Sequence, residues 1–139
     1  MPRDKDTSYE ALIFLPPGTD ASLEDGRDRL VQFYSDQIEK GKARITFEDG
    51  KLTVRLGKWS IEVYEDEGLH VLREADDIAS TYGLRLPNRG MLALARRVFV
   101  LSSDQDPRLE HDEDYFDVVV QLSEFPGAVA FDPGTGTFI

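Results

Sequence analysis

Apolar and polar residues alternate most regularly between residues 43 and 64, where three short runs are joined by two-residue turns. The runs read ARITFE, KLTVRL and WSIEVYE, and the turns are Asp49-Gly50 and Gly57-Lys58. Asp-Gly favours a type I′ hairpin, and a glycine in the first turn position favours type II′. The segment therefore predicts a three-stranded antiparallel meander.

The two turns also fix the register of the meander. The first hairpin pairs Phe47 with Leu52, Ile45 with Val54, and Ala43 with Leu56, and the second pairs Leu56 with Trp59, Val54 with Ile61, and Leu52 with Val63. These apolar side chains share one face, as a half-buried antiparallel sheet requires. The other face carries Arg44, Thr46, Thr53, Arg55, Ser60 and Glu62.

The N-terminal part of the chain predicts a strand followed by a helix. Residues 9–15 form an apolar run that ends at a Pro-Pro-Gly turn, which is typical of a buried strand. Ser22 and Asp25 fit a helix-start box, with Asp20 as a rival cap, and apolar residues then recur at helical spacing as far as residue 38. Gly41 suits the end of this helix.

The C-terminal half predicts further helices and strands. A helix over 71–82 ends at Gly83, and a short helix to about residue 95 precedes a strand over 97–101. The segment 112–125 is ambiguous, because three consecutive valines favour a strand while Asp112 or Asp114 suits a helix cap. We predict a helix, since Tyr115, Val119 and Leu122 share one helical face.

These elements predict an α+β fold. Residues 1–139 are expected to form one domain, with residues 1–7 as a disordered tail. A mainly antiparallel sheet built on the meander at about 43–64 would carry two or three helices packed on one face. A hairpin around residues 132–134 would close the fold.

Composition excludes several classes of protein. The 139-residue chain has no cysteine, so it has no disulfide, thiolate nucleophile or Cys-based metal site. No apolar stretch approaches the roughly 18 residues of a membrane span, and the polar N-terminus is no secretion signal. We therefore expect a cytoplasmic protein that does not associate with membranes.

The charge is strongly negative and unevenly placed. The formal net charge is -11, and residues 65–139 carry 15 acidic against 6 basic side chains. Residues 104–117, DQDPRLEHDEDYFD, contain seven carboxylates and one histidine. Such a field repels nucleic acid and favours basic proteins or cations.

Motifs for catalysis or metal binding are not recognisable. An EF-hand loop counted from Asp104 fails, because Arg108, Leu109 and Tyr115 stand where an acid, a glycine and a glutamate are needed. His70 and His111 are too few for a transition-metal site. No nucleophile elbow or phosphate-binding glycine loop is present. We assign no catalytic residue, no metal ligand and no cofactor, and an irregular calcium site in the acidic stretch stays open because hard cations accept carboxylates in loops.

The sequence favours a small acidic intracellular binding protein, non-enzymatic, that masks or inhibits a basic protein partner. The predicted partner-binding residues are Glu110, Asp112, Glu113, Asp114 and Tyr115, with Tyr115 and Phe116 as aromatic anchors. The basic cluster Arg85, Arg89, Arg96 and Arg97 is expected to pair internally with acidic side chains.

Three alternatives stay open at the level of sequence. The acidic stretch could be a solvated loop without a partner. A small enzyme or ligand-binding domain would hold a buried carboxylate of shifted pKa, or His70, in a pocket between sheet and helices. A structural subunit of a homo-oligomer would expose an apolar patch on a sheet face or edge.

Overall fold

The computed structural model describes residues 8–139, which form a seven-stranded antiparallel sheet and five helices. The strands are β1 (Glu10–Leu15), β2 (Ala43–Glu48), β3 (Lys51–Leu56), β4 (Trp59–Glu67), β5 (Arg97–Ser103), β6 (Val129–Asp132) and β7 (Thr137–Phe138). The helices are α1 (Leu23–Phe33), α2 (Ser35–Glu39), α3 (Leu69–Tyr82), α4 (Arg89–Leu92) and α5 (Asp112–Leu122). The predicted α+β class is confirmed. The predicted tail at 1–7 lies outside the described residues.

The meander is confirmed together with its register. Every predicted apolar pair is present, from Phe47 opposite Leu52 in the first hairpin to Leu56 opposite Trp59 in the second. Asp49 and Gly50 have φ of 53° and 76°, as a type I′ turn requires of both central residues. The alternation of side chains and the two turns therefore determine this half of the sheet.

The sheet continues from the meander in the order β2-β3-β4-β5-β1-β6-β7. Strand β5 is central, with Leu101 opposite Val63 of β4 and Phe99 opposite Ile13 of β1. The closing hairpin pairs Asp132 with Thr137, as expected. The loop that follows β5 therefore starts beside the first residues of β4, and this position organises the candidate site.

Helices cover both faces of the sheet, so the prediction of two or three helices on one face is wrong in number and placement. On one face Ile13 and Phe99 pack with residues of α1 and α5, and on the other Phe14 and Val98 pack with residues of α3 and α4. The physical reason lies in β1 and β5. Their apolar runs do not alternate with polar residues, so they present apolar side chains to both faces, and both faces must be covered.

The first predicted helix is divided in the structure. Ser22 caps α1 through a capping box with Asp25, as predicted, but α1 ends at Phe33 and α2 follows after Tyr34. Tyr34 has φ -98° and ψ 18°, outside the helical range, and its ring is buried in the core. Gly41, with φ 73°, follows α2 closely, as the sequence indicated.

Helix α5 is confirmed, with a corrected start. His111 is its N-cap residue and makes no side-chain cap hydrogen bond, so neither Asp112 nor Asp114 is the cap. Both acids lie in the first turn, where the helix dipole favours negative charge. The short helix α4 ends at Leu92, earlier than predicted.

Gly26 allows α1 to approach α5 closely. A Cβ atom added at Gly26 would lie 2.6 Å from a Cδ atom of Leu122, which is fully buried. Alanine would gain up to ~1 kcal/mol in helix propensity, while overpacking typically costs about 1–3 kcal/mol. We expect Gly26→Ala to lower the free energy of unfolding by about 1 kcal/mol in urea denaturation.

Gly90 is the matched control for this substitution. It lies in α4, and a Cβ atom added there meets open space. Gly90→Ala is therefore expected to leave stability unchanged or to raise it slightly. Equal stabilisation by both alanines would show that α1 and α5 are not in tight contact at Gly26.

Candidate binding surface

A single buried carboxylate fixes the loop between β5 and α5. Asp106 is only 3% exposed. Its Oδ2 accepts hydrogen bonds from the Tyr9 hydroxyl and the His111 amide, both at 2.8 Å, and its Oδ1 accepts one from the Glu110 amide at 3.0 Å. The Leu109 amide donates to the Asp106 carbonyl at 3.0 Å. The loop is therefore built around Asp106.

The same contacts set the ionisation of Asp106. Burial raises the pKa of this carboxyl, but the hydrogen bonds from the His111 amide, the Tyr9 hydroxyl and the Glu110 amide lower it by more. The resulting pKa lies below the ordinary aspartate value of 3.8. Asp106 is therefore a structural carboxylate, ionised at neutral pH.

Asp104 ties the same loop to the start of β4. Its Oδ2 accepts hydrogen bonds from the Ser60 amide and the Ser60 hydroxyl, both at 3.0 Å. The Trp59 indole N–H donates to the Asp104 carbonyl at 3.0 Å. Loop and meander are thus joined through side-chain and backbone groups.

Aromatic rings pack beneath the loop. The Trp59 and His111 rings are parallel, with centroids 4.3 Å apart, and the Tyr9 and Tyr115 rings stack at 4.6 Å. Tyr9 also meets Trp59 edge-on at 6.1 Å. The Nδ1 atom of His111 lies 2.9 Å from Oδ2 of Asp114, in the first turn of α5. These contacts hold the loop and the start of α5 against the sheet.

Tyr115 lies inside the protein, whereas its neighbour Phe116 lies at the surface. Tyr115 is 8% exposed, and its hydroxyl lies 3.0 Å from the Glu10 carbonyl and 3.1 Å from Oδ2 of Asp132. Phe116 is 53% exposed. An aromatic contact with a partner can therefore come from Phe116, while Tyr115 anchors α5 to β1 and β6.

The loop also presents Leu109 to solvent. Leu109 has φ 55°, a left-handed backbone conformation that is uncommon for a residue other than glycine, and its side chain is 61% exposed. The carbonyl and carboxylate of Asp106 hold the amides of residues 109–111 in this arrangement. A strained backbone thus supports an exposed apolar side chain beside the acidic residues.

The seven acidic residues of 104–117 have different surroundings. Asp104 accepts a hydrogen bond from Ser60, Asp106 accepts one from the Glu110 amide, and Asp114 contacts His111. Asp117 is half-buried, and its burial, together with the charge of Asp114, raises its pKa. The exposed acids, apart from Asp104, are Glu110, Asp112 and Glu113.

We define the acidic surface as these three exposed acids together with the two exposed apolar residues beside them. Its members are Leu109, Glu110, Asp112, Glu113 and Phe116. Next to it lies an open cleft of about 350 Å³, lined by Trp59, His111 and the loop, with the cationic side chains of Lys58 and Arg108 at its wall. The acidic surface and the cleft therefore meet at Glu110, which belongs to both.

Of the groups expected in an enzyme pocket, this cleft holds a buried carboxylate, Asp106, and a histidine, His111, but not His70. Its buried carboxylate, Asp106, is engaged by three donors and has a lowered pKa, whereas a general acid or base near neutral pH needs a raised one. His70 is exposed, with Nε2 2.9 Å from Oδ2 of Asp66. Across residues 8–139, no three His, Asp or Glu side chains come together as metal ligands.

The basic cluster predicted to pair internally does so in part. Arg97 forms a two-pronged pair with Glu65, at 2.7 and 3.1 Å, and donates to the carbonyls of Thr19 and Ala21. Hydrogen bonding to Glu65 raises the pKa of Arg97, and burial only partly opposes this. The other three arginines of the cluster form no ion pair with the described part of the chain.

Comparisons with known protein families, with curated proteins and with solved structures find no match to this chain. Between residues 8 and 139, no helix is both long and apolar enough to cross a membrane.

Sequence reasoning missed Leu109 and the Trp59–His111 stack as parts of the site. A signal for Leu109 was present, because Asp106-Pro107 is a favoured start for a turn whose carboxylate binds its own following amides. The stack joins residues far apart in the chain. Only the pairing of β4 with β5 brings them together.

Proposed function

We propose that the chain is a small acidic binding protein that holds a basic, amphipathic segment of a protein partner against the acidic surface. The observation that carries this proposal is the exposure of Leu109 and Phe116, together with Glu110, Asp112 and Glu113, within one short stretch of a loop and helix held by Asp106. The cytoplasmic location expected from the sequence belongs to this proposal.

The two kinds of side chain would have different roles in such a complex. Exposed acids at the rim attract a basic partner over distance and increase its association rate, more strongly at low salt. Exposed apolar side chains bury area on contact and slow dissociation. Because Asp106 fixes the loop before binding, little conformational entropy is lost there.

The test begins with affinity capture from a lysate of the source organism at low salt, followed by elution at high salt. The captured partner is then purified, and its association and dissociation rates are measured by stopped flow at several salt concentrations. The acid variant carries Glu110→Gln, Asp112→Asn and Glu113→Gln. We expect its association rate at low salt to fall about ten-fold and its salt dependence to flatten.

A matched control carries the same change in charge on another surface. Glu74, Asp76 and Asp77 are exposed on α3, and Glu74→Gln, Asp76→Asn, Asp77→Asn should alter the association rate by less than about two-fold. If both variants slow association equally, net charge acts without a defined surface, and the proposal fails.

The apolar residues are tested separately through dissociation. Leu109→Asn removes the apolar side chain and introduces asparagine, which tolerates the left-handed backbone. Phe116→Ser removes an exposed ring. We expect the double variant to dissociate about ten-fold faster with nearly unchanged association. Unchanged dissociation would exclude Leu109 and Phe116 from the contact.

A further inference from the structure

The outer edge of strand β2 has the features of a surface for self-association. β2 is one end of the sheet, and its six residues pair with β3 without a bulge. The opposite end, β7, has only two residues. Within residues 8–139 no further strand pairs with β2, and its sequence, ARITFE, contains neither proline nor lysine. Of the devices that usually protect an edge from pairing, β2 therefore lacks proline, lysine, a bulge and a short length, and it keeps two charged side chains, Arg44 and Glu48.

The turn that follows β2 shows which backbone groups face outward. A two-residue hairpin closes on a hydrogen-bonded pair, here Glu48 and Lys51, and hydrogen-bonded residues then alternate along the strand. The N–H and C=O groups that point away from β3 are those of Ala43, Ile45 and Phe47. Ala43 is buried, so the outward groups open to a strand from outside are those of the partly exposed Ile45 and Phe47.

The sequence of β2 is complementary to itself in one antiparallel register. When a second copy is placed around a two-fold axis at Thr46, Arg44 faces Glu48 of the copy and Ile45 faces its Phe47. Ile45 and Phe47, whose backbone groups point outward, then exchange hydrogen bonds. The Arg44–Glu48 pairs fall at the non-hydrogen-bonded positions, where side chains approach most closely.

Neighbouring registers lose both the Arg44–Glu48 pairs and the Ile45–Phe47 pairs. A shift of two residues in one direction places Arg44 against Thr46 and Glu48 against Lys42, which lies outside the strand. A shift in the other direction places Glu48 against Thr46 and Arg44 against Gly50. A shift of one residue would place residues whose backbone groups point outward opposite residues whose backbone groups point toward β3. Such residues cannot exchange hydrogen bonds, so this register is excluded.

The isolated chain also holds an uncompensated charge contact that a second copy would relieve. Arg44 lies directly opposite Arg55 in the β2–β3 register, and like charges in this position are destabilising. Neither arginine forms an ion pair with the residues that the structure describes. Glu48 of the copy would add a carboxylate beside this pair.

Apolar side chains lie along the same edge. Ile45 and Phe47 are only partly buried although they face the helices. Arg27 of α1 covers the Phe47 ring at 5.9 Å, and Val31, one turn later on the same side of α1, is 41% exposed. A second copy would bury more of this apolar strip, in addition to the backbone pairing.

We propose that two copies of the chain associate through antiparallel pairing of their β2 strands around a two-fold axis at Thr46, which makes one continuous sheet. The occupant that we propose for this edge is a second copy, because charged and apolar residues of β2 match each other in this register. The inference is independent of the acidic surface. A dimer would display two acidic surfaces and could engage a partner twice.

The first test measures mass against concentration by sedimentation equilibrium. The wild-type chain should show a monomer–dimer equilibrium. Arg44→Glu and Glu48→Arg should each weaken the dimer at least about ten-fold, because each replaces two attractive pairs by repulsive ones, and the double variant should restore it. Arg73→Glu, an exposed change on α3, should dimerise like wild type. A monomeric wild type, or failure of the double variant to recover, would overturn the proposal.

The second test introduces single cysteines into a chain that has none and measures disulfide formation between two copies. Residues at the two-fold axis have Cα atoms about 4.5 Å apart in a non-hydrogen-bonded pair, within disulfide range. Thr46→Cys should therefore form a covalent dimer on mild oxidation. Thr53→Cys lies on the same face one strand inward, about 14 Å from its copy, and should not. Equal crosslinking of the two variants would contradict this register.

Discussion

Asp106→Ala is expected to lower the free energy of unfolding by about 3 kcal/mol. The substitution removes the acceptor of the Tyr9 hydroxyl and of the His111 and Glu110 amides in a site that is nearly closed to water. Each buried donor left without a partner costs about 1–3 kcal/mol, and the loop can rehydrate part of the loss. Asp106→Asn should lower the free energy of unfolding by less than Asp106→Ala does, because the amide oxygen of asparagine still accepts hydrogen bonds.

The effect of Asp106→Asn should depend on pH. Hydrogen bonding holds the folded-state pKa of Asp106 below its ordinary value of 3.8, so ionised Asp106 stabilises the fold above that pH. This stabilisation is lost as the pH falls through the lowered folded-state pKa. The difference in stability between wild type and Asp106→Asn should therefore shrink as the pH is lowered from 7 into the acid range.

Urea denaturation at pH 7 and at acid pH measures both effects. Arg108→Ala, at an exposed position in the same loop, is the control and should change stability by less than about 0.5 kcal/mol. If Asp106→Ala were as mild as the control, the loop would not depend on this carboxylate. A pH-independent difference would show that its charge is not what stabilises the fold.

Arg97→Met is also expected to lower the free energy of unfolding by about 3 kcal/mol. Methionine keeps the apolar stem but leaves the Glu65 carboxylate without its two-pronged partner, along with the carbonyls of Thr19 and Ala21. The Arg97–Glu65 pair is about one quarter exposed on both sides. Breaking a partly buried pair from one side is destabilising because the remaining charge is unpaired.

A double-mutant cycle separates the pair from the carbonyl contacts. Glu65→Met alone should cost less than Arg97→Met, because Arg97 keeps its bonds to the segment before α1. The variant with both methionines should be more stable than the sum of the single losses predicts. Thermal or urea unfolding of the four proteins gives the coupling energy, and strict additivity would show that Glu65 and Arg97 do not stabilise each other.

The meander could be predicted in full because its two determinants are local. Two-residue turns at Asp49-Gly50 and Gly57-Lys58 fix the register, and period-two alternation fixes the buried face. The second helical layer could not be predicted in the same way. The apolar runs of β1 and β5 lack alternation, and the sequence does not show which elements cover each face.

The acidic surface was only partly predictable, because neighbouring acids look alike in sequence. Tertiary contacts alone distinguish Asp106, which is buried in the loop, from Glu110, which is exposed. For Tyr115, the spacing of apolar residues in the sequence was sufficient to predict burial. Its helical spacing with Val119 and Leu122 places it on the buried face of α5, so Phe116 was the better candidate for an exposed aromatic contact.

The most direct test of the proposed function is an amide chemical-shift titration of the ¹⁵N-labelled protein with a synthetic helix that carries leucine on one face and lysine on the other. We predict saturable shifts concentrated at Leu109, Glu110, Asp112, Glu113 and Phe116, and their loss in the acid variant but not in the α3 control. Shifts of similar size at the exposed acids of α3, or no saturable shifts at all, would contradict a defined binding surface at the loop and α5.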